Sequence, residues 1–154
     1  MISNSEVILR LILAVLLSGL VGLEREAKGR AAGLRTHMLV CTGSCLMTLT
    51  GIYLMDCYPK VVIDPSRIAA QVISGIGFIG AGTIIQFRDS VRGLTTAASV
   101  WTAAGIGLAV GVGFYVGAVA ATGLVLVVLL MLHRFEDRVG AKAKEGSYGG
   151  SRKE

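Results

Sequence analysis

Charge is scarce in this chain. Asp, Glu, Lys and Arg make up 16% of the 154 residues, and hydrophobic residues make up 53%. A soluble domain carries about 25% charged residues. The scarcity is also uneven, because the 39 residues from Leu94 to Leu132 hold no charged side chain. As one helix that run would be roughly 58 Å long at 1.5 Å per residue, whereas a bilayer core is about 30 Å thick. It is too long for one crossing and fits two short ones, with a turn at Gly111-Val112-Gly113, where glycines relax the backbone. These features exclude most soluble-enzyme classes.

Other residues are missing too. There are two prolines, Pro59 and Pro65, both in one loop, so none breaks an apolar segment. Three cysteines give no disulfide framework. Cys41 and Cys45 lie one helical turn apart and could offer two thiolates to a soft metal, but no His or further Cys is near in sequence, which favours small apolar packing. The two histidines, His37 and His133, leave little from which to build a nucleophile–base pair. No G-x-x-x-x-G-K-[ST] phosphate loop occurs, so ATP hydrolysis has no support. The pattern implies no enzyme and no cofactor, and leaves any metal ligand unassigned.

What remains reads as an all-α, polytopic membrane protein of five helices. The crossings are expected at 7–23, 38–55, 68–87, 94–110 and 112–132. Residues 1–133 form the transmembrane domain, and 134–154 form a basic, flexible cytoplasmic tail. The first segment is expected not to be a cleaved signal peptide, because Arg10 sits inside its apolar run and can snorkel. With the N-terminus outside and the C-terminus in the cytoplasm, twelve basic residues lie inside and two outside, as the positive-inside rule favours. The net charge of +5 then serves insertion and contact with the bilayer and needs no nucleic-acid partner.

Helices 1–2 and 3–4 read as a parallel repeat. Gly33-Leu34-Arg35-Thr36, with Val40 and Thr42, matches Gly93-Leu94-Thr95-Thr96, with Val100 and Thr102, at an offset of 60. Gly75-Ile76-Gly77-Phe78-Ile79-Gly80 fits G-x-G-x-x-G, but it lies inside an apolar crossing and no acid occurs between Asp89 and Glu136. A dinucleotide site needs both a strand before it and that acid. Gly75, Gly77, Gly80 and Gly82 are therefore read as a helix-packing face, and Gly105, Gly107 and Gly111 as a second one. On the outer side, Asp64-Pro65 reads as an N-cap with proline at the first helical position, and Asp64, Arg67 and Gln71 form a candidate outer-face site.

The first cytoplasmic loop, from Gly22 to His37, packs both signs of charge against two helix ends. Arg25 suits the C-terminal dipole of helix 1, and Thr36 is placed to cap helix 2. Glu24, Arg25, Arg35, Thr36, His37 and Arg92 are the candidate functional cluster, expected to join the two hairpins. It can serve as an interfacial salt-bridge layer, or as a site for a phosphate, a lipid head or a partner's acid.

These stretches resemble the MgtC/SapB family. Gly22-Leu23-Glu24-Arg25-Glu26 and Ala32-Gly33-Leu34-Arg35-Thr36-His37-Met38-Leu39-Val40 look like its first cytoplasmic loop. The run from Asp64 to Ile84 resembles its third-helix signature, and the run from Val91 to Trp101 the start of its fourth helix. The resemblance covers about residues 7–132. One departure is Ser90, where the family often has Asn. The resemblance implies a bacterial inner-membrane protein linked to low magnesium and, in pathogens, to life inside host cells. It also implies a possible partner in the F-type ATP synthase, with self-association left open. Many members carry a C-terminal ACT-like domain, which this chain is expected to lack.

Two function classes follow. The first is a non-catalytic regulator acting through membrane-protein or lipid contacts. The second is a Mg²⁺ or small-solute transporter, supported by Gln71, Ser74, Thr83, Gln86, Ser99 and Thr102 inside or beside crossings. Mg²⁺ usually needs carboxylates, and no acid lies within a crossing.

Overall fold

The computed structural model describes residues 2–148 apart from 63 and 89, with side chains through 131. Among the described residues five helices follow one another: α1 (Asn4–Ala27), α2 (Leu34–Cys57), α3 (Pro65–Gly82), α4 (Leu94–Gly111) and α5 (Tyr115–Tyr148). The basic tail at 134–154 lies outside the described side chains.

Among the described residues, α1, α2 and α4 are long and apolar enough to cross a bilayer, and α5 is apolar from Tyr115 to Met131. Large apolar side chains point outward, among them Leu39, Phe78 and Val116 at 74%, 85% and 81% exposure. Hydrocarbon is the solvent that accepts such a surface. The chain is a multi-pass helical membrane protein. α3 carries Arg67, Gln71 and Ser74 and runs alongside α4. Gly80 meets Ala97 at one end, and Pro65, Ile68 and Ala69 share a small cavity with Leu108 and Val112 at the other.

The third helix stops earlier than the expected Phe87. Two glycines near its end, each costing about 1 kcal/mol of helix propensity, are followed by Thr83-Ile84-Ile85, which favour extended backbone. A short antiparallel hairpin forms instead, β1 (Ile85–Phe87) and β2 (Ser90–Arg92), with Ile85 opposite Arg92. Gly93 then adopts φ +91, and a Cβ there would run into the Thr83 carbonyl. Gly33 and Gly93, aligned in the repeat, are both helix N-caps.

The core lies between α1, α2 and α4, where Ala14, Leu17, Cys41, Cys45, Ile106 and Val110 are buried together. All three cysteines are free thiols, and Cys41 and Cys45 pack as small apolar groups. α2 and α4 approach closely because Gly107 and Gly111 have no side chains. A Cβ on Gly107 would strike the Cys41 carbonyl and come within 2.9 Å of Ser44 Cβ, and one on Gly111 would lie 2.6 Å from Thr48 Cβ.

The expected glycine face on α3 is corrected. Among the described residues only Gly80 of the four packs, its Cβ position 3.7 Å from Ala97 Cβ, while a Cβ on Gly75, Gly77 or Gly82 would meet nothing within 4 Å. Gly75 borders an open groove against α2, and Gly107 and Gly111 of α4 make the close crossing. Gly105 also faces open space.

Arg10 does not snorkel. It is 8% exposed, and its Nη1 donates to the Gly111 carbonyl at 2.7 Å. Its Nε donates to Tyr115 Oη at 3.0 Å, and its Nη2 pairs with Glu6 Oε1 at 2.6 Å. A cation thus meets the carbonyl end of α4, where backbone acceptors lack helical partners, and ties α1 to α4 and α5. The turn between α4 and α5 falls where the glycines place it, with Gly113 at φ +84.

Candidate functional site

The end of the bundle that carries the α1–α2 loop is the charged face. α1 continues to Ala27, so Glu24, Arg25 and Lys28 leave its last turn. Gly22 lets α2 start against α1, since a Cβ there would sit 2.7 Å from Leu34 Cα. Glu26 Oε2 accepts from the Leu34 N–H at 2.7 Å. That bond caps α2 in place of Thr36, which lies within the first turn behind the Gly33 N-cap. A free anion site at this helix start is thereby partly filled by the chain's own carboxylate.

Behind the cap lies a buried charge layer. The side chains of Glu24 and Arg25 are 6% and 4% exposed, and Arg25 Nη1 lies 3.6 Å from Glu24 Oε2. Lys28 Nζ is 2.7 Å from Glu24 Oε1, and it also donates to the Leu129 carbonyl of α5 at 3.1 Å. Beside them His37 is fully buried. Its Nδ1 donates to the Gly33 carbonyl at 2.8 Å, and its Nε2 faces Ser99 Oγ of α4 at 3.1 Å. One polar layer therefore reaches α1, α2, α4 and α5.

The layer is only partly satisfied. Among the described residues, neither Glu24 oxygen accepts an aligned hydrogen bond, so ion pairing alone holds the carboxylate, and Arg25 Nε has no partner. Buried polar groups left this way cost stability. Such costs concentrate where a protein does its work.

The expected cluster is corrected in two members. Arg35 and Arg92 are exposed, and among the described residues neither pairs with Glu24 or Arg25. Arg35 lies two residues before His37, about 200° around the helix, so it points outward while His37 points in. Arg92 sits on the hairpin, away from α1. Lys28, Glu26 and Ser99 take the places that sequence reasoning gave to the two arginines. The signal for Lys28 was its i, i+4 spacing from Glu24.

On the opposite face, Asp64 caps α3 through bonds from Ser66 N at 2.9 Å and Ser66 Oγ at 2.7 Å. These bonds hold its carboxyl below the usual carboxylate range. Arg67 and Gln71 border a groove against Met47 of α2, and the Arg67 charge also acts on Asp64. Among the described residues, no three His, Cys, Asp or Glu side chains are grouped to hold a metal ion.

A helical bundle with a buried ionic layer at one end and a packed apolar middle defines a small polytopic membrane protein. Residues 11–138 match the MgtC family, and the chain belongs to that family. It is 44% identical over 139 residues to an Escherichia coli K12 protein provisionally named magnesium transporter YhiD, covering 88% of this chain and 65% of YhiD. It is 45% identical over 132 residues to Protein MgtC of Salmonella typhimurium LT2, covering 86% of this chain and 54% of that protein. A Haemophilus influenzae protein is 44% identical over 123 residues, covering 77% and 52%. The chain thus spans just over half to about two thirds of these relatives' lengths. No solved structure matches it.

Proposed function

We propose that this chain is a non-catalytic regulator in adaptation to low magnesium, seated in a bacterial inner membrane with its N-terminus outside and its C-terminus in the cytoplasm. It acts through contacts with another membrane protein, such as the F-type ATP synthase that the family resemblance suggests, or with lipid. The buried layer of Glu24, Arg25, Lys28 and His37 sets the relative positions of α1, α2, α4 and α5, and so the shape offered to a partner. The membership of the MgtC family and the magnesium-related name of YhiD support the link to magnesium.

One observation carries the choice of regulator over transporter. Six hydroxyls of the described helices, most of them on α1, α2 and α4, are turned back on their own backbones. Ser18 donates to Ala14, Thr42 to Met38, Ser44 to Val40, Thr48 to Ser44, Thr102 to Ala98 and Thr122 to Ala118, each onto a carbonyl. A path for a hydrated or coordinated ion needs polar groups free to face it. Here those six hydroxyls are spent on the backbone, and small or apolar residues fill most of the α1–α2–α4 interface.

The purified protein in liposomes, loaded with a Mg²⁺-sensitive dye, tests this choice. The expected result is Mg²⁺ entry no faster than in empty vesicles. Saturable entry that depends on the protein would overturn the regulatory reading in favour of the transporter.

A further inference from the structure

We propose that the groove between α2 and α3 binds one anionic phospholipid, with its phosphate at Arg67 and one acyl chain running along the groove. The idea deepens the lipid contact named above and rests on that reading. α3 leans on α4 and leaves an open channel against α2. Its deeper part has a volume of about 390 Å³ and is lined by Val40, Gly43, Met47, Val72, Gly75 and Ile76, among others. A second section of about 400 Å³ shares Met47 and Val72 and continues to Gln71 and Arg67. No atom lies within 4 Å of a Cβ placed on Gly43 or Gly75, so these two glycines keep the channel open. Ser44 in its wall donates to the Val40 carbonyl, which leaves the surface apolar.

Dimensions and charge select the occupant. From Arg67 to Ile79, the last α3 residue on the groove, is twelve residues of helix, roughly 18 Å. One leaflet of the hydrocarbon core is about half of 30 Å, so the groove is as deep as one acyl chain is long. A helix 10 Å across would need roughly 1,400 Å³ over that length. It would rest on the rims and leave the floor unfilled. At the mouth, Arg67 and Gln71 are spaced i, i+4 on one face. Asp64, the nearest acid in sequence, accepts from Ser66 and feels the Arg67 charge, but makes no ion pair with Arg67 among the described residues. The exposed guanidinium thus keeps donors for a phosphate, and the Gln71 amide lies one turn deeper, level with the glycerol esters. An apolar trough ending in a cation and an amide matches an anionic phospholipid and gives an acid-free partner helix no reason to bind.

The test is native mass spectrometry of the purified chain in detergent, titrated with phosphatidylglycerol, phosphatidylcholine or glycerol phosphate. The expected result is one retained phosphatidylglycerol per chain, above phosphatidylcholine, and no retained glycerol phosphate. Arg67→Ala and Gly75→Leu should each lower occupancy at least fivefold, while Gly77→Leu, on the far side of α3, should leave it unchanged. Gly43→Leu fills the groove from the other wall and replaces Gly75→Leu if that variant loses helical circular dichroism. Four outcomes would overturn the site: wild-type occupancy in both Arg67→Ala and the groove-filling variant, equal retention of phosphatidylcholine, displacement of lipid by glycerol phosphate, or a changed dimer fraction with lipid occupancy unaltered. The last would give the groove to a second copy of the chain. No growth or flux is measured here, so failure of this site would leave the regulatory reading standing.

Discussion

The α2–α4 crossing can be tested with two alanines. Gly107→Ala places a methyl against the Cys41 carbonyl and Ser44 Cβ, while Gly75→Ala places one in open space. Both replacements gain helix propensity, about 1 kcal/mol in a soluble helix, so that contribution cancels in the comparison. What remains is the overpacking cost at Gly107, about 1–3 kcal/mol. The obstacle is backbone, which cannot rotate away as a flexible side chain would, so we expect the upper half of that range. Reversible unfolding in mixed micelles by added dodecyl sulfate, followed by circular dichroism, measures both variants. Gly107→Ala should unfold at clearly lower denaturant fraction than Gly75→Ala, with an equilibrium constant shifted roughly 30- to 150-fold at about 1.4 kcal/mol per decade. Equal midpoints would refute the close crossing and restore the α3 glycines as packing residues.

Three further expectations use the same unfolding assay or hydrogen exchange. Arg10→Leu removes a charged hydrogen bond to the Gly111 carbonyl and should cost about 1.5–3 kcal/mol. Tyr115→Phe, which keeps that bond, should cost less, and equal losses would speak against Arg10 as the cap of α4. Ser99→Ala leaves His37 Nε2 buried without its partner and should cost about 1–3 kcal/mol, whereas a neutral result would mean that the α2–α4 polar contact contributes nothing. The depressed Asp64 carboxyl stabilises the start of α3 at pH above the ordinary carboxylate range, and that contribution is lost as pH falls through its lowered folded value. Amide exchange at Ser66 and Arg67, corrected for intrinsic pH dependence, should gain protection factors on raising the pH through that range, and a flat profile would remove the capping role.

The helices were legible because hydrophobic run length measures the bilayer, and the α4–α5 turn because glycines mark it. The Asp64-Pro65 start of α3 followed from capping chemistry that needs no tertiary context. The end of α3 was less legible, since an apolar Thr83-Ile84-Ile85 continues a crossing in composition while favouring a strand in backbone. The charge layer was half legible. Glu24, Arg25 and His37 stand where helix ends and loop charge place them. Arg35 and Arg92 were expected there because the repeat sets them beside equivalent helix entries, which ignores that residues two apart on a helix point to different sides. Arg10 was misread because a lone cation in an apolar run says nothing of which helix end folds back to meet it. The α3 glycines were misassigned for the same reason. A small residue permits a close approach, and only the tertiary arrangement decides whether a neighbour takes it.

Function is expected to depend on the buried pairing around Glu24, not on the exposed Arg35 and Arg92. A strain lacking its own copy of this protein, grown at limiting magnesium and complemented with Glu24→Gln, Lys28→Met, Arg35→Ala or Arg92→Ala, measures it, with membrane abundance quantified for each variant. Glu24→Gln and Lys28→Met should fail to restore growth at an abundance that suffices for wild type, while Arg35→Ala and Arg92→Ala restore it. Normal growth with Glu24→Gln and Lys28→Met, together with loss in Arg35→Ala and Arg92→Ala at equal abundance, would contradict the account.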